Sequence, residues 1–203
     1  MENMNFEELV KNRYAVKLFD INKKVSENDL DYVIEMARLA PTAFGLQPFR
    51  IKVVSERAVK EKLQEASWNQ PQITSCSHLL VFCADNAVME RIEHLGKIMD
   101  ELGLPADKKA TYMDFMKGAF AEKSPEEISF WASKQAYLVA DHVMLAAVEK
   151  GFNSCPMEGF DSKAYGEILN LPKNLLASII IPIGYPADEA RLKMRFSKED
   201  ILV

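Results

Sequence analysis

The chain contains 203 residues, of which 48% are hydrophobic, and its 30 acidic residues outnumber its 25 Lys and Arg to give a formal net charge of −5. These values predict one domain with a sizeable core and argue against a nucleic-acid partner, because nucleic-acid-binding proteins concentrate Lys and Arg on one face. No basic segment followed by an apolar one opens the chain, and no run of about 18 apolar residues occurs, so we expect neither export nor a membrane partner.

The first half of the chain is predicted to alternate helices and strands within a single domain over residues 1–203, without repeats or linkers. Polar capping residues and prolines set the boundaries of these elements. In chain order they are a helix ending at Leu9, a helix over residues 27–39 capped by Ser26, a loop over residues 41–48, a half-buried strand over residues 50–54, and a helix capped by Ser55 that runs to about Ala66.

Two apolar runs predict central strands of the sheet. Residues 79–84 and 178–183 lack polar alternation, which indicates strands covered on both faces. Pro182 lies in the second run and is expected at a strand end or a bulge, because proline cannot donate a ladder hydrogen bond. Between the runs, residues 86–123 are more polar and contain three glycines. We expect them to form a mobile helical excursion over the core.

The best-marked helix start is the capping box at Ser124-Pro125-Glu126-Glu127. Residues 134–150 are apolar almost all the way round and stop at Gly151, which suits a left-handed cap. This pattern predicts a helix buried on every side. A second copy of the chain or the core of a monomer could each supply that burial.

Cysteine and histidine usage indicates a cytoplasmic protein without a metal site. Cys76, Cys83 and Cys155 are odd in number and show neither zinc-site spacing nor a disulfide framework, so we expect a reducing compartment. None of the three His residues has a second His or Cys at a ligand spacing.

Two basic clusters lie near opposite ends of the chain. They are Arg13-Tyr14-Ala15-Val16-Lys17 and Lys193-Met194-Arg195. If the first cluster is extended, Arg13, Ala15 and Lys17 lie on one side. Arginine offers a planar fork that matches phosphate oxygens, and lysine acts as a point charge. The clusters are therefore interpreted as two halves of an anion cradle for a small phosphorylated ligand.

Two loops are further candidates for ligand contacts, each with an ordinary structural alternative. The loop over residues 40–49 has two prolines and two aromatics and suits a flat ring, but it could equally be a simple helix-to-strand turn. In residues 151–161, Glu158 and Gly159 could aim backbone N–H groups at a ligand. The alternative is a helix–helix connection in which Asp161 caps the next helix.

Five segments taken together resemble the nitroreductase family of flavoproteins, and most closely its oxygen-insensitive bacterial branch of NAD(P)H-dependent nitroreductases and flavin reductases. In order they are Arg13-Tyr14-Ala15-Val16-Lys17-Leu18-Phe19-Asp20, Ala40-Pro41-Thr42 with Gln47-Pro48-Phe49, Ser77-His78-Leu79-Leu80-Val81-Phe82-Cys83-Ala84, Pro156-Met157-Glu158-Gly159-Phe160-Asp161 and Lys193-Met194-Arg195. The resemblance implies an α+β, nitroreductase-like fold with a central, mostly antiparallel mixed sheet flanked by helices. It also implies an intertwined homodimer that binds FMN non-covalently at two sites built from both subunits, with the apolar helix at the interface.

The resemblance further implies roles for individual residues and assigns the chemistry to FMN, with no catalytic side chain. Those expected to contact FMN are Arg13, Lys193 and Arg195 at the phosphate with Tyr14 and Ala15 beside them; Lys17, Asn69 and Gln72 at the pyrimidine edge; the backbone of Glu158 and Gly159 on the N5 and O4 side; Pro156 and Met157 against the ring; and Phe44 and Gln47 from across the subunit boundary. Lys17 is expected to stabilise negative charge on the reduced ring and so to set its potential.

The implied activity is transfer of hydride from NADH or NADPH to FMN and then of electrons to a nitroaromatic, quinone or flavin acceptor, with ping-pong kinetics. The chain has no G-x-G-x-x-G fingerprint, which fits a nicotinamide cofactor that only visits the flavin. Ala15, Gln72 and Gly45 depart from the family pattern, where a hydroxyl residue, a second Lys and a polar residue are usual. A dihydropteridine reductase, a specialised flavin reductase, and a non-catalytic FMN carrier or sensor remain alternatives.

Overall fold

The fold is a four-stranded sheet with helices packed on both of its faces. A computed structural model describes residues 4–203, in which eight α-helices and four strands form. The helices are α1 (Phe6–Asn12), α2 (Glu27–Leu39), α3 (Arg57–Glu65), α4 (Gln72–Ser75), α5 (Val88–Glu101), α6 (Ala106–Phe120), α7 (Pro125–Glu149) and α8 (Ser162–Ile168). The strands are β1 (Phe49–Val54), β2 (His78–Asp85), β3 (Asn153–Ser154) and β4 (Leu175–Gly184), in the spatial order β1-β2-β4-β3.

Both apolar runs form interior strands, as predicted. β2 pairs antiparallel with β1 on one side and with β4 on the other. Successive residues of β2 enter different cores: Leu80 packs with α2 and α7, whereas Leu79 packs with α3, α4 and α8. Burial on both faces explains why this strand is continuously apolar.

The edge of the sheet beside β4 was not predicted. Residues 151–161 contain the two-residue strand β3, and the Cys155 N–H donates to the Pro182 carbonyl at 3.1 Å. Pro182 therefore lies inside β4 rather than at its end or at a bulge. Because the N and C=O of a strand residue face the same side, its missing donor faces this short, irregular edge, where it disrupts least.

Helix α7 differs from its prediction in burial. It begins at the predicted capping box of Ser124 and Glu127 and runs unbroken to Glu149. Its inner face is fully buried, whereas Phe130 is 65% exposed and Leu138 is 50% exposed. The expectation that the helix is buried on every side is wrong for the single chain.

Residues 86–123 contain the helices α5 and α6, which pack against each other as a hairpin. The predicted mobility of this excursion stays a prediction. Met99, Met113, Met116 and Phe120 build a separate small core with Leu46. Gly96 allows the two helices to approach closely, because a Cβ there would lie 2.7 Å from Met113 Sδ. Among the described residues, no helix is both long and apolar enough to span a bilayer.

Smaller differences concern helix ends. α1 continues to Asn12 rather than stopping at Leu9, and α3 follows Glu56, not Ser55, without a side-chain capping bond. The short helix α4 was not predicted. Asp161 caps α8 by accepting from the N–H groups of Lys163 and Ala164, as the alternative interpretation of residues 151–161 predicted.

Candidate functional site

The first basic segment is extended and lies along the edge of the sheet. Arg13 leaves α1 with extended backbone angles, and Ala15 forms a parallel bridge with Ser154. Val16 is fully buried, whereas Ala15 and Lys17 are half-buried. The predicted alternation is therefore present, with Val16 anchoring the segment and its neighbours facing the other way.

The basic clusters from the two ends of the chain meet within one protomer. Lys193 Nζ donates to the carbonyl of Val10, in the last turns of α1 and three residues before Arg13. Desolvation lowers the pKa of Lys193, and the nearby charges of Arg13 and Arg195 lower it further. We call Arg13, Lys193 and Arg195 the cation triplet. Neighbouring cations attract an anion, so the triplet is a candidate anion site.

The second part of the site is the Lys17 cluster, which consists of Lys17, Gln72 and Cys155. Lys17 Nζ lies 3.7 Å from Cys155 Sγ. Burial raises the pKa of the Cys155 thiol, while the charge of Lys17 and hydrogen bonds from Lys17 and Gln72 oppose that rise. Gln72 is 4% exposed and its Oε1 has no partner. The cluster thus combines a cation with an unsatisfied buried acceptor.

Unsatisfied polar atoms concentrate in this region. Within residues 4–203, four buried side-chain atoms have no hydrogen-bond partner, and three of them are Gln72 Oε1, Ser154 Oγ and Asp188 Oδ1. Ser154 bridges Ala15, and Asp188 accepts a hydrogen bond from the Lys17 N–H. Buried polar atoms are normally paired, so a local group of unpaired ones indicates a polar ligand.

Gly159 lies against Trp68. Gly159 was predicted to belong to the site, whereas Trp68 was not. A Cβ on Gly159 would lie 2.4 Å from the Trp68 ring, so a larger residue there would require that ring to move. Trp68 is 70% exposed, and it and Asn69 both have left-handed backbone angles, with φ of 52° and 58°. Such angles cost energy in non-glycine residues and cluster at functional sites.

Glu158 is exposed and interacts with α7. Burial raises the pKa of Tyr137 to about 12, assisted by its hydrogen bond to Glu158 and by that carboxylate's charge. Met157, the residue before Glu158, exchanges backbone hydrogen bonds with Ile180 at 2.9 and 3.1 Å and is 6% exposed. Its side chain is part of the core, whereas Pro156 is half-buried.

Phe44 and Gln47 make their contacts elsewhere in the chain. Phe44 packs edge-on against Phe115 and Phe120 at centroid distances of 6.0 and 6.1 Å. Gln47 Nε2 donates to the Arg38 carbonyl at 2.6 Å. Both residues have left-handed backbone angles. Their assignment to a site across a subunit boundary stays a prediction.

Comparison with known proteins identifies the family. The model of the Nitroreductase family matches residues 10–185. The chain belongs to the nitroreductase family. This confirms the resemblance drawn from the five sequence segments. A relative from Staphylococcus haemolyticus, named as a candidate NAD(P)H nitroreductase, is 33% identical over 202 residues, covering 94% of this chain and 92% of that protein.

Solved structures of other family members have the same fold. A candidate NAD(P)H:FMN oxidoreductase from Staphylococcus epidermidis matches with a TM-score of 0.92 at 28% identity, covering 100% of this chain and 99% of that chain. A candidate nitroreductase from Exiguobacterium sibiricum, solved in complex with FMN, has a TM-score of 0.89 at 23% identity and covers 98% of this chain and 97% of its own. The nitroreductase-like α+β fold, with its antiparallel sheet and one parallel bridge at the edge, is confirmed.

Several residues that contribute to the site were not among those predicted. Trp68, Ser154, Cys155 and Asp188 join it through contacts with residues distant in sequence. Asp188 and Lys17, for example, are 171 positions apart. The run Trp68-Asn69, placed between a helix and a strand, is the one local signal that could have drawn attention to Trp68.

Proposed function

We propose that this chain is an FMN-dependent oxidoreductase that takes hydride from NADH or NADPH and reduces nitroaromatics, quinones or flavins by a ping-pong mechanism. The observation that carries the proposal is the meeting of the cation triplet with the extended segment that leads to the Lys17 cluster. The relatives named above, with NAD(P)H and FMN in their names, support the same activity.

The residues present fit FMN. Four residue steps of extended chain separate Arg13 from Lys17, about 13 Å at roughly 3.3 Å per residue. This leaves room for a polyol chain between a phosphate held by the triplet and a ring edge at Lys17. Gln72 Oε1 is an unpaired acceptor, which suits the N3–H donor of an isoalloxazine. Asn69, Pro156 and the backbone at Glu158 and Gly159 then belong around the ring.

Bound FMN supplies the redox chemistry by accepting a hydride and releasing two electrons to an acceptor. The protein binds and orients FMN and tunes its reduction potential. Lys17 holds a positive charge where the pyrimidine edge becomes negative on reduction, which favours the reduced form. The indole ring of Trp68 and the backbone of Gly159, which lie close together, limit the positions open to the isoalloxazine ring.

We also propose that the enzyme is a homodimer. Helix α7 exposes Phe130, Tyr137 and Leu138 along one stripe, and the tail exposes Phe196 and Leu202. A second copy would cover these apolar side chains, as expected for surfaces of this kind. It would also bring Phe44 and Gln47 to the partner's ring.

Anaerobic reduction of the FMN-loaded protein tests the activity. We expect NADH or NADPH to bleach the flavin absorbance and a quinone or nitroaromatic to restore it. A panel of acceptors that includes dihydropteridine and free flavin separates the specialised reductases. Flavin that binds but stays oxidised under excess NADH and NADPH would support a carrier or sensor instead, and protein that takes up no FMN would refute the proposal.

The phosphate site has its own test. We expect Arg195→Ala to weaken FMN binding by roughly 10- to 100-fold, the range for a hydrogen bond to a charged group, and to leave riboflavin binding unchanged because riboflavin lacks the phosphate. Arg191→Ala removes an exposed cation from the same tail and serves as the matched control. Equal losses for FMN and riboflavin in Arg195→Ala would contradict the assignment.

A further inference from the structure

Asp188 joins the tail to the first basic segment. Its Oδ2 accepts from the Lys17 N–H at 2.9 Å, and its backbone carbonyl accepts from the Tyr14 hydroxyl at 3.1 Å. The neighbouring Ala187 N–H donates to the Leu18 carbonyl at 2.9 Å. Asp188 is therefore fixed alongside the stretch between Tyr14 and Lys17.

The other carboxylate oxygen of Asp188 is left without a partner. Oδ1 is buried and accepts no hydrogen bond, and no ion pair within the part of the chain described here includes Asp188. The charge of Asp188 acts on its neighbours. Burial is the main cause of the raised pKa values of Tyr14 and Cys155, and Asp188 raises both further. A buried carboxylate oxygen that lacks a donor is costly, so this position favours a ligand that donates.

The position of Asp188 limits which donor that is. The cation triplet lies at one end of the extended segment and the Lys17 cluster at the other, with Asp188 bonded between Tyr14 and Lys17. In FMN, the part between the phosphate and the ring is the ribityl chain, whose hydroxyl groups are donors. A carboxylate also repels phosphate, so it directs the phosphate away from itself and towards the triplet.

We propose that Asp188 Oδ1 accepts a hydrogen bond from a ribityl hydroxyl, and that Asp188 thereby selects ligands with a hydroxylated chain between ring and phosphate. The inference rests on the proposed function, since it assumes that FMN is the ligand. It assigns a ligand contact to a tail residue and gives an unsatisfied buried atom its partner.

The test compares FMN with an analogue in which an unsubstituted pentyl chain joins the same ring to the same phosphate. Dissociation constants come from quenching of flavin fluorescence, so no turnover is needed. We expect the wild type to bind FMN roughly 10- to 100-fold more tightly than the analogue, and Asp188→Ala to bring that ratio to within a few-fold of one. A purely structural role would weaken both ligands equally and leave the ratio unchanged.

Two further variants keep the test decisive. Asp188→Asn keeps an acceptor for the Lys17 N–H but removes the charge, so its ratio should fall roughly five- to tenfold even if Asp188→Ala does not fold. Glu189→Gln removes a charge from the exposed neighbouring residue and should leave the ratio as in the wild type. Wild-type protein that fails to bind FMN would refute the proposed function. Protein that binds FMN but retains its ratio in both Asp188 variants would overturn this inference alone.

Discussion

Gln72 stands beside Lys17 and Cys155 as a neutral residue, so Lys17 supplies the cation of this cluster. We expect Gln72→Lys to raise the midpoint potential of bound FMN. A second charge near the ring contributes about 1–4 kcal/mol, depending on local screening, which corresponds to roughly 20–90 mV for a two-electron couple. An anaerobic titration against a redox dye measures the shift.

The matched control for this change is Thr74→Lys, which adds the same charge to α4 at a half-buried position two residues away. It should shift the potential less, because screening grows with distance. A Gln72→Lys protein whose potential equals that of the wild type, or lies below it, would show that position 72 does not face the ring.

His78 makes stability depend on pH. Burial lowers its pKa, with Lys60 and Lys24 acting in the same direction and Glu27 opposing them. The unfolded residue, with a pKa of about 6.5, takes up a proton that the folded residue resists. The free energy of unfolding should therefore decrease as the pH falls below about 6.5, by at most about 1.4 kcal/mol per pH unit from this group.

Urea denaturation at a series of pH values measures that dependence. We expect the slope below about pH 6.5 to be smaller in His78→Gln than in the wild type, and unchanged in His142→Gln, which alters an exposed histidine on α7. Equal slopes in all three proteins would mean that other groups cause the acid sensitivity.

The charged residues of the candidate site are easier to recognise in the sequence than the residues around them. Arg13, Lys17, Lys193 and Arg195 stand out because basic clusters are unexpected in an acidic chain. Asp188 does not, because its role depends on a contact with Lys17 that no local pattern encodes. The same holds for Gly159, because its close approach to the Trp68 ring is a contact between residues distant in sequence.

At the scale of elements, the α5–α6 hairpin contains two helical glycines in different surroundings. A Cβ on Gly118 meets nothing within 4 Å, whereas one on Gly96 would lie 2.7 Å from Met113 Sδ. Since alanine favours a helix over glycine by about 0.5–1 kcal/mol, Gly118→Ala should raise the melting temperature. Gly96→Ala should raise the melting temperature less, or lower it, because the Met113 side chain must shift.

Thermal unfolding of the two variants, followed by circular dichroism, provides the comparison, and each variant is the control for the other. An equal rise in both would mean that the hairpin adjusts freely at Gly96. A fall in both would mean that the helices need glycine for their backbone rather than for packing.

Elements with strong local signals were predicted, and weak ones were not. The capping box at Ser124 and the apolar runs of β2 and β4 are present where expected. β3 has two residues and exists because Asn153 and Ser154 pair with the end of β4, a contact that no short pattern announces.

At the scale of the whole molecule, large apolar side chains are exposed in two places of interest, the stripe of Phe130, Tyr137 and Leu138 on α7 and the tail residues Phe196 and Leu202. The sequence predicted the apolar helix but left two explanations for its apolar surface, the core of one chain or contact with a second copy. The exposed stripe favours the second copy, because the core of one chain leaves these side chains in solvent.

We therefore expect the protein to sediment at twice the 23.0 kDa of one chain, and Leu138→Glu to shift it towards the monomer. Leu138 is 50% exposed in the single chain, so a glutamate there should not destabilise the folded protomer. In a dimer, its charge would be buried without a partner. If both subunits build each site, the variant should also bind FMN more weakly. Leu102→Glu, which changes an exposed leucine at the end of α5, should remain dimeric. A Leu138→Glu protein that stays dimeric with full FMN affinity would show that α7 lies outside the interface.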